Sequence, residues 1–476
     1  MRWPETGAPV RMQRVALVSA PAGLRDALVT VAAAGTVQLD ALAVGTAPGH
    51  GAARERLQEL HATGPTTRRL ARRPPDLEEL SRAGRSDLLA GEAEVQDLAA
   101  AAIVRGDLAA LAGWAPVAAL PELTRQLAQG GSSLCRIDAP RGIDPPTLLR
   151  PGGQVRRSFA PLVDTYATVP YVDVDPTLVA GAAYVVMFGM MFGDAGDGLL
   201  LVLLGLLLRA GRPRWAAGAR RVWPFVVASG LAATVFGLLY GEFFGPTGVV
   251  PVLWVRPLDH PVTLLAAALG VGGVLLSGAY AVGTVNRWRE GGWALALVSA
   301  AGLAGAAVFF GAGAVLLGLA VGTAWVTTAG AVVGLAGLVL CFVGFLAAAG
   351  GGPAGATQAS VELFDATLRL GANVVSFARL AAFGLTHAAL GLIVWQLTTA
   401  LWDDAGPGWV LAVAAFLVGN AVAFALEALI AAVQALRLSY YELFSRVFAA
   451  EGSPFRPWHI PVEETASVPV EVGGSP

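Results

Sequence analysis

Hydrophobic and polar positions divide the chain into a polar first third and an apolar remainder. Residues 1–165 carry most of the charged side chains, and a series of apolar blocks with short polar breaks begins near residue 177. A membrane-spanning helix needs about 20 predominantly apolar residues, and several of these blocks are longer than that. The pattern therefore predicts a small domain over residues 1–165 and a membrane domain over residues 166–476.

The polar third has the pattern of a small α/β domain. Residues 14–44 predict a strand, an amphipathic helix and a second strand. Residues 108–137 predict a similar strand–helix–strand unit, with a turn over residues 114–116 after its first strand. The segment 50–105 between the two units is rich in Arg and Glu, and we expect it to be partly helical.

The apolar blocks predict about eight membrane spans. The first block, 177–209, is too long for one span, and Gly193–Gly198 (GDAGDG) places two carboxylates at its centre. Because carboxylates are costly in the middle of a span, we expect two short helices joined at this sequence. The other spans are predicted near 222–245, 261–285, 292–320, 324–349, 376–400 and from 408 onward. The last two are long enough to be strongly tilted.

Arginines set the predicted orientation, because cytoplasmic loops of membrane proteins are enriched in positive charge. Both flanks of the first block are rich in arginine, which agrees with a hairpin. The later breaks alternate between arginine-bearing and arginine-poor segments. Those assigned to the cytoplasm contain Arg287, Arg289, Arg369, Arg446 and Arg456, whereas those assigned outside contain Arg256. We therefore expect a multi-pass protein with both termini in the cytoplasm.

Composition excludes several classes of protein. Charged residues make up 14% of the chain, against about 25% in typical soluble domains. The net charge of -2 indicates no basic surface for nucleic acid. Cys135 and Cys341 lie in unrelated contexts, so we expect neither a disulfide framework nor a metal–thiolate site. The chain has no phosphate-binding loop and no hydrolase motif, and we expect no bound cofactor or metal and no catalysis by this chain.

The last two predicted spans contain polar side chains within apolar stretches, which makes them functional candidates. Arg379 and His387 lie in the seventh span, and Glu427, Gln434 and Arg437 lie in the eighth. The spacings of seven and three residues predict one polar stripe along the eighth helix.

The residues alone leave other roles open for these side chains. Arg437 could extend its side chain to the cytoplasmic surface, His387 could be a packing residue, and Glu427 could form a structural ion pair with an arginine.

Several motifs in order along the membrane half give the chain a resemblance to a known family. They are YVDVDPT at 171–177, FGMMFGDAGDG at 188–198, GLLYGEFFG at 237–245, NVVSFARLAAFGLTHAAL at 373–390 and LEALIAAVQALRLSYYELFSRVF at 426–448. With these motifs the chain resembles the a subunit, or subunit I, of V-type and A-type rotary ATPases.

The resemblance implies a non-catalytic membrane stator whose two half-channels carry H⁺ or Na⁺ to a rotating ring of c subunits. Arg379 matches the arginine of the family's S-[YF]-x-R-L motif, which holds each passing ring carboxylate in its charged form and blocks an ion leak. Arg437 matches an assisting arginine, and Glu427, Gln434 and His387 match positions of the ion path. Ser439 stands where the family often has histidine, and Asp197 where it often has an aromatic residue or histidine.

The family also implies partners and a location. The partners are the proteolipid c ring, peripheral-stalk subunits, the central-stalk cap and the lipid bilayer, in the plasma membrane of a prokaryote. Family members usually carry long helical arms, so the short region 1–165 implies a shortened arm. The main alternative is a stand-alone ion-coupled secondary transporter. Such transporters often contain internal repeats, and no repeat is visible in this chain.

Overall fold

The computed structural model describes residues 9–40, 51–60, 67–140, 142–150, 152–212, 214–402, 408–447 and 452–464. The described residues form two compact units. One contains residues 9–149 together with residues 452–464, and the other contains residues 150–447.

The first unit is a small α/β domain. Its elements are β1 (Met12–Ser19), α1 (Leu24–Ala34), β2 (Gln38–Leu39), α2 (Ala52–Glu59), β3 (Leu70–Ala71), α3 (Leu77–Arg82), α4 (Ser86–Ala100), β4 (Ile103–Arg105), β5 (Leu108–Pro116), α5 (Leu120–Gln129), β6 (Ser133–Arg136) and β7 (Val462–Glu463). The main sheet has the order β2-β5-β1-β6, with β4 paired to β5, and its pairs are antiparallel.

The two predicted strand–helix–strand units are confirmed with one correction, and residues 41–44 of the first unit lie outside the described residues. The predicted turn at residues 114–116 is wrong, because β5 continues to Pro116, which pairs with Met12 at the start of β1. Proline lacks a backbone N–H and is tolerated at a strand end, so its presence did not require a turn there.

A C-terminal segment completes the core of the first unit. β7 pairs in parallel with β3, and the buried side chains of Trp458 and Ile460 lie in the same core cluster as β1 and α1. Hydrogen bonds from Arg69 and Arg85 lower the pKa of the Glu463 carboxyl in β7. The N-terminal segment of the first unit thus ends at residue 149, whereas the sequence predicted a boundary at residue 165. Residues 452–464 also belong to this unit, although the sequence assigned them to the membrane domain.

The second unit is a bundle of membrane-type helices. Its helices are α6 (Gln154–Asp164), α7 (Thr177–Met191), α8 (Ala195–Arg209), α9 (Trp223–Tyr240), α10 (Pro261–Val298), α11 (Leu303–Val321), α12 (Ala324–Ala348), α13 (Gly352–Ser376), α14 (Ala378–Trp402), α15 (Gly408–Leu438) and α16 (Ser445–Val447). In the described ranges, six helical stretches are long and apolar enough to cross a membrane. The predicted class, a polytopic helical bundle with a small α/β domain, is confirmed.

The predicted helical hairpin is confirmed at residues 192–194. α7 and α8 each contain 15 residues, which is about 22 Å of helix against a hydrocarbon core of about 30 Å. They are therefore a pair of short helices rather than two full spans. Asp194 caps the N-terminus of α8, and its side chain accepts hydrogen bonds from two backbone N–H groups of the first turn.

The predicted boundary of the fifth span is wrong. α10 continues past residue 290, has non-helical backbone at Gly291 and Gly292, and ends at Val298. Gly292 has a φ of +72°, a conformation that side-chain-bearing residues rarely adopt. The fifth span, α11, consequently begins at Leu303 and not at 292. The seventh predicted span begins after a one-residue interruption at Phe377, between α13 and α14.

Candidate functional site

The site is built on α14 and α15, which pack against each other and against α7. α14 ends at Trp402 and α15 begins at Gly408, and a connection this short makes the two helices antiparallel neighbours. α14 also contacts α10. α7 therefore packs on both helices of the pair, and α10 packs on α14.

Each helix of the pair has an exposed apolar stripe that leads to an arginine. On α14 the exposed residues follow at intervals of three or four, which places them on one side of the helix. They include Ala382, Thr386, Leu390, Ile393 and Leu397, and the half-buried Arg379 precedes them by one interval. On α15 the series is Leu426, Leu429, Ile430 and Val433, and Arg437 ends it.

The two arginines lie at the same end of the antiparallel pair. Arg379 is the second residue of α14 and Arg437 is the last but one of α15. The side chain of Arg437 is exposed, whereas Nη1 of Arg379 is buried and has no hydrogen-bond partner among the described residues. A buried cationic atom without a partner is costly, so an acceptor that hydrogen-bonds to this Nη1 would be stabilising.

Glu442 lies close to both arginines and was not singled out in the sequence. It lies on a short π-helix, Ser439–Phe444, that follows α15. Its carboxylate is buried beside the Ser376 side chain and within electrostatic range of Arg379 and Arg437. π-Helical turns often occur at functional sites, but such a turn leaves no clear pattern in the sequence.

The predicted polar stripe of the eighth span divides between two sides of α15. Glu427 is buried and Arg437 is exposed, while Gln434 is half-buried with an unpartnered buried Oε1. At 3.6 residues per turn, ten positions rotate a side chain by about 80° from its starting direction. The prediction of a single stripe is therefore wrong for Glu427 and Arg437. Each shares a helix face with Gln434, but the two do not share a face with each other.

The structure brings His387 and Glu427 into direct contact. Nδ1 of His387 is hydrogen-bonded to Oε2 of Glu427, and both side chains are buried. Nε2 of His387 lies 3.9 Å from Oε2 of Glu242, which follows α9. The ring of Phe192 contacts the His387 ring in a tilted arrangement, at a centroid distance of 5.3 Å. The sequence predicted the histidine and Glu427 as candidates, but not their pairing.

Asp194 fixes the loops around this histidine. Its Oδ1 accepts hydrogen bonds from the backbone N–H groups of Gly196 (2.7 Å), Asp197 (3.0 Å) and Phe244 (2.9 Å), and its Oδ2 accepts one from Gly245 (2.8 Å). One carboxylate thus joins the start of α8 to the loop after α9. The same loop meets α14, since a Cβ on Gly245 would lie 2.8 Å from the carbonyl oxygen of Gly391.

Asp197 adds a fourth carboxylate. It is buried, its Oδ1 has no hydrogen-bond partner in the described structure, and it lies within electrostatic range of Asp194, His387 and Glu427. We call Asp194, Asp197, Glu242, His387 and Glu427 the His387 cluster. Within it, Asp194, Glu242 and His387 each offer one ligand atom, and these three atoms lie within 4.8 Å of one another.

The His387 cluster and the arginines occupy different levels of the helix pair. His387 is eight residues from Arg379, and Glu427 is ten residues from Arg437, which correspond to about 12 and 15 Å of helix. A path along the pair would therefore meet buried acids and an imidazole at one level, and fixed positive charge at the other.

Phe377, two residues before Arg379, is held against α10 by close packing. Its side chain is fully buried, and a Cβ on Gly272 would lie 2.6 Å from Phe377 Cβ. We predict that Gly272→Ala destabilises the chain by about 1–2 kcal/mol, because overpacking costs more than the helix propensity gained. Thermal unfolding in detergent measures this effect.

The neighbouring Gly273 is the matched control, because a Cβ there meets nothing within 4 Å. Gly273→Ala is expected to be neutral or slightly stabilising. Equal effects of the two substitutions would contradict the packing of Phe377 on Gly272.

Comparisons with known proteins agree with the motifs. Residues 99–247 match the model of the V-type ATPase 116 kDa subunit family. The A-type ATP synthase subunit I of Aeropyrum pernix is 29% identical over 364 residues, which cover 67% of this chain and 51% of the relative. The corresponding subunit of Methanocaldococcus jannaschii is 27% identical over 68% of this chain and 50% of the relative.

A shorter match extends the comparison to bacteria. The V-type ATP synthase subunit I 2 of Treponema pallidum is 37% identical over 117 residues, or 25% of each chain. The chain spans about half the length of the archaeal relatives that it matches. Residues 99–247 are therefore similar to the V-type ATPase 116 kDa subunit family, and the longer matches make the chain similar to subunit I of A-type ATP synthases.

Proposed function

We propose that the chain is the membrane stator of a V/A-type ATPase and forms the ion half-channels against a rotating c ring. One observation carries the proposal: two exposed apolar stripes on α14 and α15 lead to Arg379 and Arg437 at one end of the pair. Exposed apolar stripes fit a partner helix as well as lipid, whereas the arginines fit an acidic partner within the membrane.

Arg379 would act on the carboxylate of each passing ring subunit. A guanidinium remains protonated under these conditions, and a nearby positive charge favours the ionised form of a carboxyl group. The unpartnered Nη1 of Arg379 supplies a hydrogen-bond donor for that carboxylate. Once ionised, the carboxylate releases its H⁺ or Na⁺, and the fixed charge of Arg379 opposes direct passage of cations between the half-channels.

The two half-channels would reach the ring at different levels. The His387 cluster supplies buried carboxylates and an imidazole that accept and pass on a cation, and Gln434 lies on α15 between that cluster and Arg437. Glu442, beside both arginines, supplies an acid for the second half-channel. With both termini in the cytoplasm, the His387 cluster belongs to the outer half-channel.

The remaining assignments follow from this role. The chain itself would be non-catalytic, with ATP chemistry on other subunits, and would reside in the plasma membrane of a prokaryote. The unit of residues 9–149 and 452–464 would meet the peripheral stalk and the central-stalk cap through a shortened arm, and residues 150–447 would contact the proteolipid ring and lipid. The transported ion is H⁺ or Na⁺.

Glu427→Gln tests the outer half-channel. The amide has nearly the same shape but removes the charge that pairs with His387, and we expect ATP-driven ion uptake by membrane vesicles to fall at least tenfold. The complex is expected to assemble in normal amounts, as measured by copurification of the proteolipid ring. Uptake is followed with a pH-sensitive dye or with Na⁺.

Glu362→Gln is the matched control, because Glu362 lies on α13 and pairs with Gln358 at an exposed position. Normal uptake by the Glu427 variant would contradict the assigned path. Ion transport by the chain reconstituted alone would instead favour a stand-alone secondary transporter.

A further inference from the structure

The His387 cluster has the geometry of a metal site that the sequence does not reveal. Its three ligand candidates come from separate elements: Asp194 precedes α8, Glu242 follows α9, and His387 lies on α14. Spacing along the chain therefore gives no metal-binding motif. In the fold, however, all three are buried and their ligand atoms lie within 4.8 Å of one another.

Two further carboxylate oxygens in the cluster have no partner. Oδ1 of Asp197 and Oε1 of Glu427 are buried without a hydrogen bond in the described structure, and their side chains are 4% and 8% exposed. The cluster contains four carboxyl groups and one imidazole, so its fully ionised form has a net negative charge even when the histidine is protonated. Because unpaired buried charge is costly, a cation bound among these groups would stabilise them.

The contacts of the histidine leave one ring nitrogen for a metal. Its Nδ1 is bonded to the Glu427 carboxylate, which leaves Nε2 directed toward Glu242. Metal-binding histidines commonly use their second nitrogen in this way, because the carboxylate fixes the tautomer and strengthens the ligand.

The distances allow one ion to be shared. Nε2 of His387 and Oε2 of Glu242 are 3.9 Å apart, and metal–ligand bonds to Zn²⁺ are about 2.0–2.2 Å long. If the two side chains moved slightly closer, Nε2 of His387 and Oε2 of Glu242 could both bind the same ion. Oδ2 of Asp194 accepts one hydrogen bond, and a carboxylate oxygen has a second lone pair for a metal.

We propose that Asp194, Glu242 and His387 bind a divalent transition-metal cation such as Zn²⁺, and that the bound cation blocks ion passage at this level. One nitrogen and two carboxylate oxygens without thiolate suit Zn²⁺, Co²⁺ or Mn²⁺. The block, but not the binding, rests on the proposed half-channel function.

Binding is tested by titrating the purified full chain in detergent with Zn²⁺, and with Co²⁺ as an optical probe. The expected result is one saturable site per chain. His387→Ala and Glu242→Gln are each expected to lower its affinity at least tenfold. The matched control is His260→Ala, because His260 is exposed in the loop before α10, and it is expected to leave the affinity unchanged.

Absence of a saturable site in the unmodified chain overturns the proposal without any variant. Unchanged affinity in well-folded His387 and Glu242 variants overturns it as well, and helix content by circular dichroism establishes their folding. Zn²⁺ is also expected to inhibit ATP-driven uptake by the complex, with recovery on chelation. Binding without inhibition would refute the block alone, whereas the stator function is tested separately through Arg379.

Discussion

Arg379→Ala is expected to reduce ATP-driven ion transport to background while the complex still assembles. The substitution removes the guanidinium that we propose holds a ring carboxylate in its ionised form and separates the half-channels. Because Arg379 is half-buried near the start of α14 and its Nη1 has no hydrogen-bond partner in the described structure, its removal breaks no such bond at that atom. Ion uptake by vesicles and copurification of the ring measure the two effects.

The control for this substitution is Arg369→Ala. Arg369 lies ten residues earlier on α13, is exposed, and pairs with Asp365 one helical turn away. An exposed pair of this kind contributes little to stability, so transport is expected to remain normal. Arg379→Lys adds a finer comparison, since lysine retains charge but not the planar donor group. Coupled transport in the Arg379→Ala complex would refute the stator assignment.

Asp194→Ala is expected to produce the largest loss of stability in the second unit. Asp194 is fully buried and accepts hydrogen bonds from four backbone N–H groups in two segments. Each bond to a charged group contributes about 1.5–3 kcal/mol, so we expect a loss of about 4 kcal/mol or more. Thermal unfolding in chelator-containing detergent buffer should show a midpoint lowered by about 10 °C or more.

Asp197→Asn is the comparison, because Asp197 is equally buried but its Oδ1 accepts no hydrogen bond in the described structure. Its substitution is expected to change stability by no more than about 1 kcal/mol. Similar unfolding midpoints for the two variants would mean that Asp194 does not join the α8 and α9 segments as described. A stable Asp197 variant with reduced transport would agree with its place in the His387 cluster.

The long-range organisation was partly predictable from the sequence because lipid imposes a strong constraint. Apolar length predicts spans, and the cost of carboxylates at mid-span predicts the break at residues 192–194. The boundary of α11 was not predictable in this way, since glycine and alanine continue through the kink at Gly291 and Gly292. Hydrophobicity alone does not locate a backbone break within such a stretch.

The candidate site was predictable where a charge interrupts an apolar helix. Arg379 and Glu427 are such charges, and His387 is a polar residue in the same kind of stretch. The sequence used Asp194 only to predict the break between α7 and α8, and it did not single out Glu242, which lies beside Gly241 in a turn where polar residues are common. Their proximity to His387 depends on how α7, α9 and α14 pack, and nothing in the local sequence encodes that packing.

The place of residues 452–464 in the first unit has a consequence for biogenesis. Trp458 and Ile460 complete a core that otherwise consists of residues synthesised before the membrane helices. During translation, that core remains incomplete until the ribosome has made every helix of the second unit. The nascent first unit therefore exposes apolar surface throughout membrane insertion, a period in which incompletely packed domains depend on chaperones. Because residues 452–464 complete this core, the first unit finishes folding after the second unit has been synthesised.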